Sequence, residues 1–241
     1  MKRRSLTSSL LPRASSPAAH IMPTDNPVEL LRRVALSPDC AKMNRSTVKG
    51  YLGELLVKQQ LEVELKGIRI DHHGNQSGHD LQYVCGAVCI KIDVKTSTAK
   101  DERKWGLQYW SWALQNKNKK KPVTATHLVC VGLNANLILD SLFVIRAENI
   151  RLFPPATGQF SNNTHCLFLP VTAVCSTSKA LTDPLFHTCQ RLLAEQLVVR
   201  VRPNEHLSDA CTGRPAPHPM GRAQISWTAA AARMRSGNRK K

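Results

Sequence analysis

Charged side chains alternate with apolar ones along residues 88–95. This period of two is typical of a β-strand, whose successive side chains point to opposite faces of the sheet. One face of the predicted strand is aliphatic, and the other carries Lys91, Asp93 and Lys95. Such a row is also common on the solvated face of an antiparallel strand, so further residues must decide whether it marks a site.

A second carboxylate, Asp80, stands at the start of the preceding predicted strand, residues 80–84. Hairpin pairing of the two strands would bring Asp80 beside Asp93. Two carboxylates that close repel each other unless they share a proton or a cation. Mg²⁺ suits such a pair, because it binds through one or two carboxylates together with waters and substrate phosphate. Lys95, two residues after Asp93, would then favour ionisation of a nearby water or hold a phosphate oxygen.

A third carboxylate, Glu54, lies in the strongest predicted helix of the chain. Its helical neighbours at i+3 and i+7 are Val57 and Leu61, so Glu54 lies on a face that packs inward. A carboxylate on such a face is rarely buried without a partner. Gly50 and Gly53 remove bulk around it, which would let this helix approach the sheet closely.

Hydrophobic periodicity predicts the elements that carry these residues. The predicted elements are, in chain order, helices 27–43 and 46–66, strands 68–71, 80–84 and 88–95, a helix over 101–115, and strands 126–131 and 137–145. The helix over 101–115 depends on the spacing of Trp105, Tyr109 and Trp112. Ser46 is the expected N-cap of the second helix and Gly67 its stop signal. The predicted fold class is α/β, with a mixed central sheet flanked by helices.

With these residues in this order, the chain resembles the PD-(D/E)XK nuclease superfamily, which has the restriction-endonuclease-like fold. The resemblance covers residues 44–146 and rests on Glu54 in an opening helix, Asp80 entering a strand and Asp93-Val94-Lys95 on the next strand. It implies an αβββαβ core and Mg²⁺-dependent hydrolysis of phosphodiester bonds. His79 stands where the name of the family has proline.

The resemblance also implies a role for each of these residues. Asp80 and Asp93 would bind Mg²⁺, for which Mn²⁺ can substitute, and the backbone carbonyl of Val94 would complete the inner shell. Lys95 would orient or activate the attacking water. Glu54 would support the metal or its water. The implied substrate is DNA, and a homodimer is compatible with this because cutting both strands of a duplex needs two sites.

The charge of the chain agrees with a polyanionic partner. The 241 residues contain 34 Lys and Arg against 17 Asp and Glu, a formal net charge of +17. Such an excess favours nucleic acid as the partner. The candidate contacts are Lys100, Arg103, Lys104, Lys117, Lys119, Lys120 and Lys121. No apolar stretch reaches the roughly 18 residues that would span a bilayer, so no membrane is expected.

Composition divides the chain into four parts: a disordered basic arm over 1–25, a nuclease-like domain over 26–150, an extension with one helix over 151–202, and a basic, mostly disordered tail over 203–241. The helix of the extension is predicted to start at Asp183-Pro184 and to run to about Val199. The eight cysteines are irregularly spaced and form no CxxC pair, which favours free thiols. A cytoplasmic or nucleoid-associated location is expected, with organelle import as the lesser alternative, because the first residues are rich in Arg and Ser.

Three other functions stay open on the sequence alone. A catalytically inactive nucleic-acid-binding protein could use the same fold, although the intact set of Glu54, Asp80, Asp93 and Lys95 argues against it. A structural or assembly protein could be basic only to neutralise charge. An RNA nuclease would differ only in substrate, and no RNA-binding motif is recognisable.

Overall fold

The computed structural model describes residues 26–40, 45–73, 78–102, 107–116, 124–154, 164–171 and 184–213. The predicted basic arm, the basic run 117–121 and the chain after residue 213 lie outside these residues. The elements are α1 (Pro27–Leu36), α2 (Arg45–Glu64), β1 (Asp71–His72), β2 (Leu81–Cys85), β3 (Val88–Thr98), β4 (Lys100–Glu102), β5 (Leu107–Asn116), β6 (His127–Leu133), β7 (Leu139–Arg146), a 3₁₀-helix (Ala147–Leu152), β8 (Thr164–Pro170), α3 (Pro184–Ala194), β9 (Val199–Val201) and α4 (Leu207–Thr212).

A six-stranded sheet in the order β1-β2-β3-β6-β7-β9 forms the centre of the fold. Only β3 and β6 pair in parallel in this sheet, and the other neighbours are antiparallel. Every residue of β6 is buried, as expected for a strand covered on both faces. This architecture confirms the predicted α/β class with a mixed central sheet flanked by helices.

Helices α1, α2 and α4 cover one face of the central sheet. Leu52, Val57 and Leu61 of α2 are completely buried there against the aliphatic face of β3. Asn26 is the N-cap of α1, because its side chain accepts a hydrogen bond from Val28 N. The second helix is confirmed too, but it begins at Arg45, so Ser46 lies inside its first turn rather than at the cap.

The predicted helix over 101–115 is wrong. Within this range the structure has strand β4 and most of strand β5, which pair with each other, and β5 also pairs with β8 in a three-stranded antiparallel sheet. Trp110, Trp112 and Leu114 are buried at a spacing of two, which is the strand period. The indole nitrogens of Trp110 and Trp112 donate to the carbonyls of Leu133 and Val131, so this small sheet packs against the second face of the central sheet.

The C-terminal part of the described chain packs onto both cores. Cys189 and Leu192 of α3 lie in the core between the two sheets, whereas Leu207 and Cys211 of α4 lie in the core on the helix side. Helix α3 ends at Ala194, earlier than expected, because the chain turns into β9. Helix α4 was expected to belong to the disordered tail. The division of the chain into parts at residues 150 and 202 stays a prediction.

The seven cysteines that lie in the described ranges are free thiols. No helix in those ranges is both long and apolar enough to cross a bilayer. The fold therefore rests on two hydrophobic cores, one on each face of the central sheet. The candidate site residues lie where β2 leaves the side of β3.

Candidate active site

Asp80 is fixed against β3 by two hydrogen bonds. Its backbone N–H donates to the Ile92 carbonyl at 2.8 Å, and its Oδ2 accepts from Val94 N at 2.7 Å. The last paired residues of β2 and β3 are Leu81 and Ile92. The Asp80 side chain thus takes the hydrogen-bonding position that a continued β2 would have used. This leaves a notch in the sheet beside Val94.

The Val94 carbonyl points toward this notch. In a strand, the N–H and C=O of one residue point to the same side of the strand. Because Val94 N donates to Asp80, its carbonyl faces the Asp80 side rather than β6 on the other side. A carboxylate and a backbone carbonyl therefore lie together at the end of the β2–β3 pairing. The resemblance implies that both groups bind a metal ion, and this role stays a prediction.

Asp93 and Lys95 lie on one face of β3, as their alternation predicted. Lys95 Nζ donates to Asp93 Oδ1 at 2.5 Å. The Asp93 side chain is 18% exposed and that of Lys95 is 33% exposed, so both can reach a bound molecule. Ile92 and Val94, which alternate with them along the strand, point to the opposite face and are buried against α2.

Glu54 enters the site from α2. Its Oε2 lies 2.6 Å from Nε2 of His72, and its side chain is only 14% exposed. The helix can lie this close to β3 because Gly53 faces Thr96, whose hydroxyl would overlap a Cβ placed on Gly53. The close approach expected from the two glycines thus holds at Gly53. At Gly50, by contrast, an added Cβ would meet nothing within 4 Å.

The carboxylates at the notch interact strongly. Burial and then the charges of Asp93 and Glu54 raise the pKa of Asp80, while the Val94 hydrogen bond and Lys95 oppose the rise, and the net result is a pKa of about 7. Asp93 and Glu54 thus each lie close enough to Asp80 for their negative charges to act on its carboxyl group. A cation bound at the notch would relieve this repulsion.

The donor set at the notch is compatible with Mg²⁺. It offers hard oxygen ligands, two carboxylates and one carbonyl, with a third carboxylate nearby, and Mg²⁺ takes its remaining ligands from water and substrate. In the described part of the chain, no group of three or more His, Cys, Asp or Glu side chains is arranged to hold a metal ion. A metal here would therefore depend on the Val94 carbonyl and on water as well as on Asp80 and Asp93.

Two residues near the site had no predicted role there. His72 lies in β1, and its contact with Glu54 joins positions 18 apart, which no local pattern reveals. His79, in the position of the family's proline, hydrogen-bonds to Thr124 at 3.0 Å and to Gln82 at 3.2 Å. It thereby ties the residue before Asp80 to β2 and to the chain leading into β6.

Of the predicted nucleic-acid contacts, the structure describes Lys100. Its side chain is exposed and donates to Ser111 Oγ at 3.0 Å. The other six predicted contacts lie outside the described residues.

Comparison with known protein families finds no matching model, and no curated protein matches the sequence. Among solved structures, one that is similar is a bacterial homing endonuclease. It shares 14% sequence identity with a TM-score of 0.36, over 63% of this chain and 96% of that chain. At this level of similarity the inference of function must come from the site residues themselves.

Proposed function

We propose that this protein is a metal-dependent endonuclease that hydrolyses phosphodiester bonds in DNA. The observation that carries the proposal is the convergence of Asp80, Asp93, Lys95 and the Val94 carbonyl at one notch in the sheet, with Glu54 beside them. A group of carboxylates next to a partly exposed lysine is suited to hydrolysing an anionic substrate. Carboxylates with a raised pKa beside a lysine favour a functional site over a purely structural one.

Asp80, Asp93 and the Val94 carbonyl would hold Mg²⁺ or Mn²⁺, with Glu54 supporting the metal or its water. When bound, the metal supplies positive charge that stabilises the phosphate in the transition state and lowers the pKa of water. Val94 N fixes one oxygen of Asp80, so this carboxylate is held in place before any ligand arrives. Such preorganisation avoids reorganisation during the reaction.

Lys95 would orient the attacking water or hold a nonbridging phosphate oxygen. It lies on the same face of β3 as Asp93 and contacts it directly. The ammonium group can exchange this contact for a substrate oxygen, because about a third of the side chain is exposed. The cationic charge then lies where negative charge grows on the phosphate.

DNA as the substrate is supported by the net charge of +17 and by the exposed Lys100 on β4, near the site. A polyanion is the partner that such a charge excess attracts most strongly. A homodimer would supply the two sites that are needed to cut both strands.

The test is cleavage of supercoiled plasmid DNA in Mg²⁺ or Mn²⁺, with EDTA as the metal-free control. We expect nicked and linear products with either metal, none in EDTA, and none from Asp93→Ala or Lys95→Ala. Cleavage that persists in EDTA, or in the Asp93→Ala variant, would contradict the proposed site. Salt-sensitive DNA binding without cleavage of plasmid or branched DNA would instead favour an inactive binding protein.

A further inference from the structure

We propose that Arg45, Lys49 and Lys100 form a phosphate-binding surface that guides duplex DNA along the C-terminal end of β3 into the notch. This surface, called the β3-end basic surface, is separate from the carboxylates and Lys95. It rests on the proposed function only in taking DNA as the partner, and its test requires no cleavage.

Lys49 is the centre of the β3-end basic surface. It is partly buried, and its Nζ donates to Thr98 Oγ1 at 3.1 Å. Lys49 and Gly53 lie one helical turn apart on α2, and they face Thr98 and Thr96 on β3. The ammonium group is therefore held by the packing of α2 on the sheet and does not move freely on a long side chain.

Two further cations lie close to Lys49. Burial lowers its pKa, and the neighbouring charges of Arg45 and Lys100 lower it further. Arg45 and Lys100 are both exposed. Among the residues whose side chains the structure describes, no Asp or Glu forms an ion pair with any of these three cations.

Such a cluster destabilises the free protein, because like charges repel and a partly buried ammonium loses hydration. Elsewhere on the same helix, Lys58 pairs with Glu62 at 3.5 Å, so α2 carries a compensated lysine as well as an uncompensated one. A polyanion that covers the β3-end basic surface would replace the repulsion among these cations with attraction to its negative charges. The geometry thus favours a phosphate-bearing partner there.

The surface lies in line with the candidate active site. From Val94 to Thr98 the strand advances about 13 Å, at about 3.3 Å per residue. That distance corresponds to about four base-pair steps of 3.4 Å. A duplex whose scissile phosphate lies at the notch beside Val94 could therefore place a phosphate about four steps further along at Lys49. Contacts of this kind position a substrate without reading its sequence.

The experiment measures the affinity for a short labelled DNA duplex in EDTA as a function of salt. Each lost phosphate contact lowers the slope of log K against log salt by about 0.9. We expect Lys49→Met to lower the slope by about this amount, and the combined Arg45→Gln, Lys49→Met and Lys100→Gln variant by about 2.7, three times that amount. When the salt concentration rises fourfold, the wild type should therefore lose about 3.5-fold more affinity than a variant that lacks one phosphate contact.

The matched control is Lys58→Met, which removes an equal charge from the same helix and should leave the slope nearly unchanged. Lys49→Arg, which keeps the charge, should retain the wild-type slope. The melting temperature of free Lys49→Met should equal or exceed that of the wild type, which separates lost binding from lost folding.

Equal slope changes in Lys49→Met and Lys58→Met would overturn the proposal, because they would indicate a general charge effect. A lowered slope in Lys49→Arg would also overturn it. If Lys49→Met lost more affinity for a matched RNA duplex than for the DNA duplex, the choice of DNA as the partner would be overturned. If the slopes change as expected but plasmid is never cut, the β3-end basic surface stands and the proposed reaction fails.

Discussion

Replacing Asp80 with asparagine separates the role of its charge from that of its shape. Asparagine has nearly the same volume and keeps an oxygen that can accept the hydrogen bond from Val94 N. It cannot carry a negative charge. We therefore expect Asp80→Asn to stabilise the free protein at pH 8 while abolishing metal-dependent cleavage.

The size of the effect follows from the pKa of Asp80, which burial and then the charges of Asp93 and Glu54 raise from 3.8 to about 7. Because the folded state holds the proton more tightly, the wild type loses stability as the pH rises from about 4 to about 7. A rise of about three units corresponds to about 4 kcal/mol at 1.36 kcal/mol per unit. Screening by water at the open notch reduces this, so we expect about 2 kcal/mol.

The assay is the melting temperature of wild type and Asp80→Asn from pH 5 to pH 8. A gain of about 2 kcal/mol raises the melting temperature by about 4–8 °C for a chain of this size. The gain should be about a third of its full size at pH 5 and full above pH 7. Mg²⁺ should raise the melting temperature of the wild type and leave that of the variant nearly unchanged. A variant that is less stable than the wild type at pH 8 would refute the reasoning.

Three further predictions concern the elements that hold the site, each measured as the free energy of unfolding in urea. Gly53→Ala should lower the free energy of unfolding by about 1–3 kcal/mol, because the new methyl group overlaps a hydroxyl of β3. Gly50→Ala should raise it by about 0.5–1 kcal/mol. Equal effects of the two substitutions would contradict the close approach of α2. Glu64→Gln should lower the free energy of unfolding by about 1–2 kcal/mol, because the Glu64 carboxylate accepts hydrogen bonds from the first two N–H groups of α4 at 2.9 and 2.7 Å. Glu62→Gln is the control and should leave the free energy of unfolding nearly unchanged. Trp112→Phe should cost about 1–3 kcal/mol by removing the indole hydrogen bond to a buried β6 carbonyl, and an unchanged stability would speak against the observed position of β5.

Local patterns were sufficient for the elements around the site. Helix α2 and strand β3 were predicted because their apolar residues repeat at the helix and strand periods, and both bury that face. The positions of Asp93 and Lys95 on one face of β3 followed from alternation alone. The roles assigned to the site residues stay predictions until cleavage is measured.

The region of β5 could not be predicted locally because it contains both periods. Trp105, Tyr109 and Trp112 match a helix, whereas Trp110 and Trp112 match a strand. The pairing of β5 with β8 favours the strand conformation, and β8 comes later in the chain, after β6 and β7 of the central sheet. Contacts between distant positions are hidden in the same way: His72 meets Glu54 across 18 positions, and Lys49 meets Thr98 across 49.

The most direct test of the proposed function compares plasmid cleavage and DNA binding by wild type and Asp93→Asn in Mg²⁺. The matched control is Asp39→Asn, which removes an exposed carboxylate at the end of α1. We predict that Asp93→Asn binds DNA at least as well as the wild type but cuts no detectable plasmid, while Asp39→Asn cuts normally. Cleavage by Asp93→Asn at the wild-type rate would contradict the proposal that the notch between β2 and β3 is an active site.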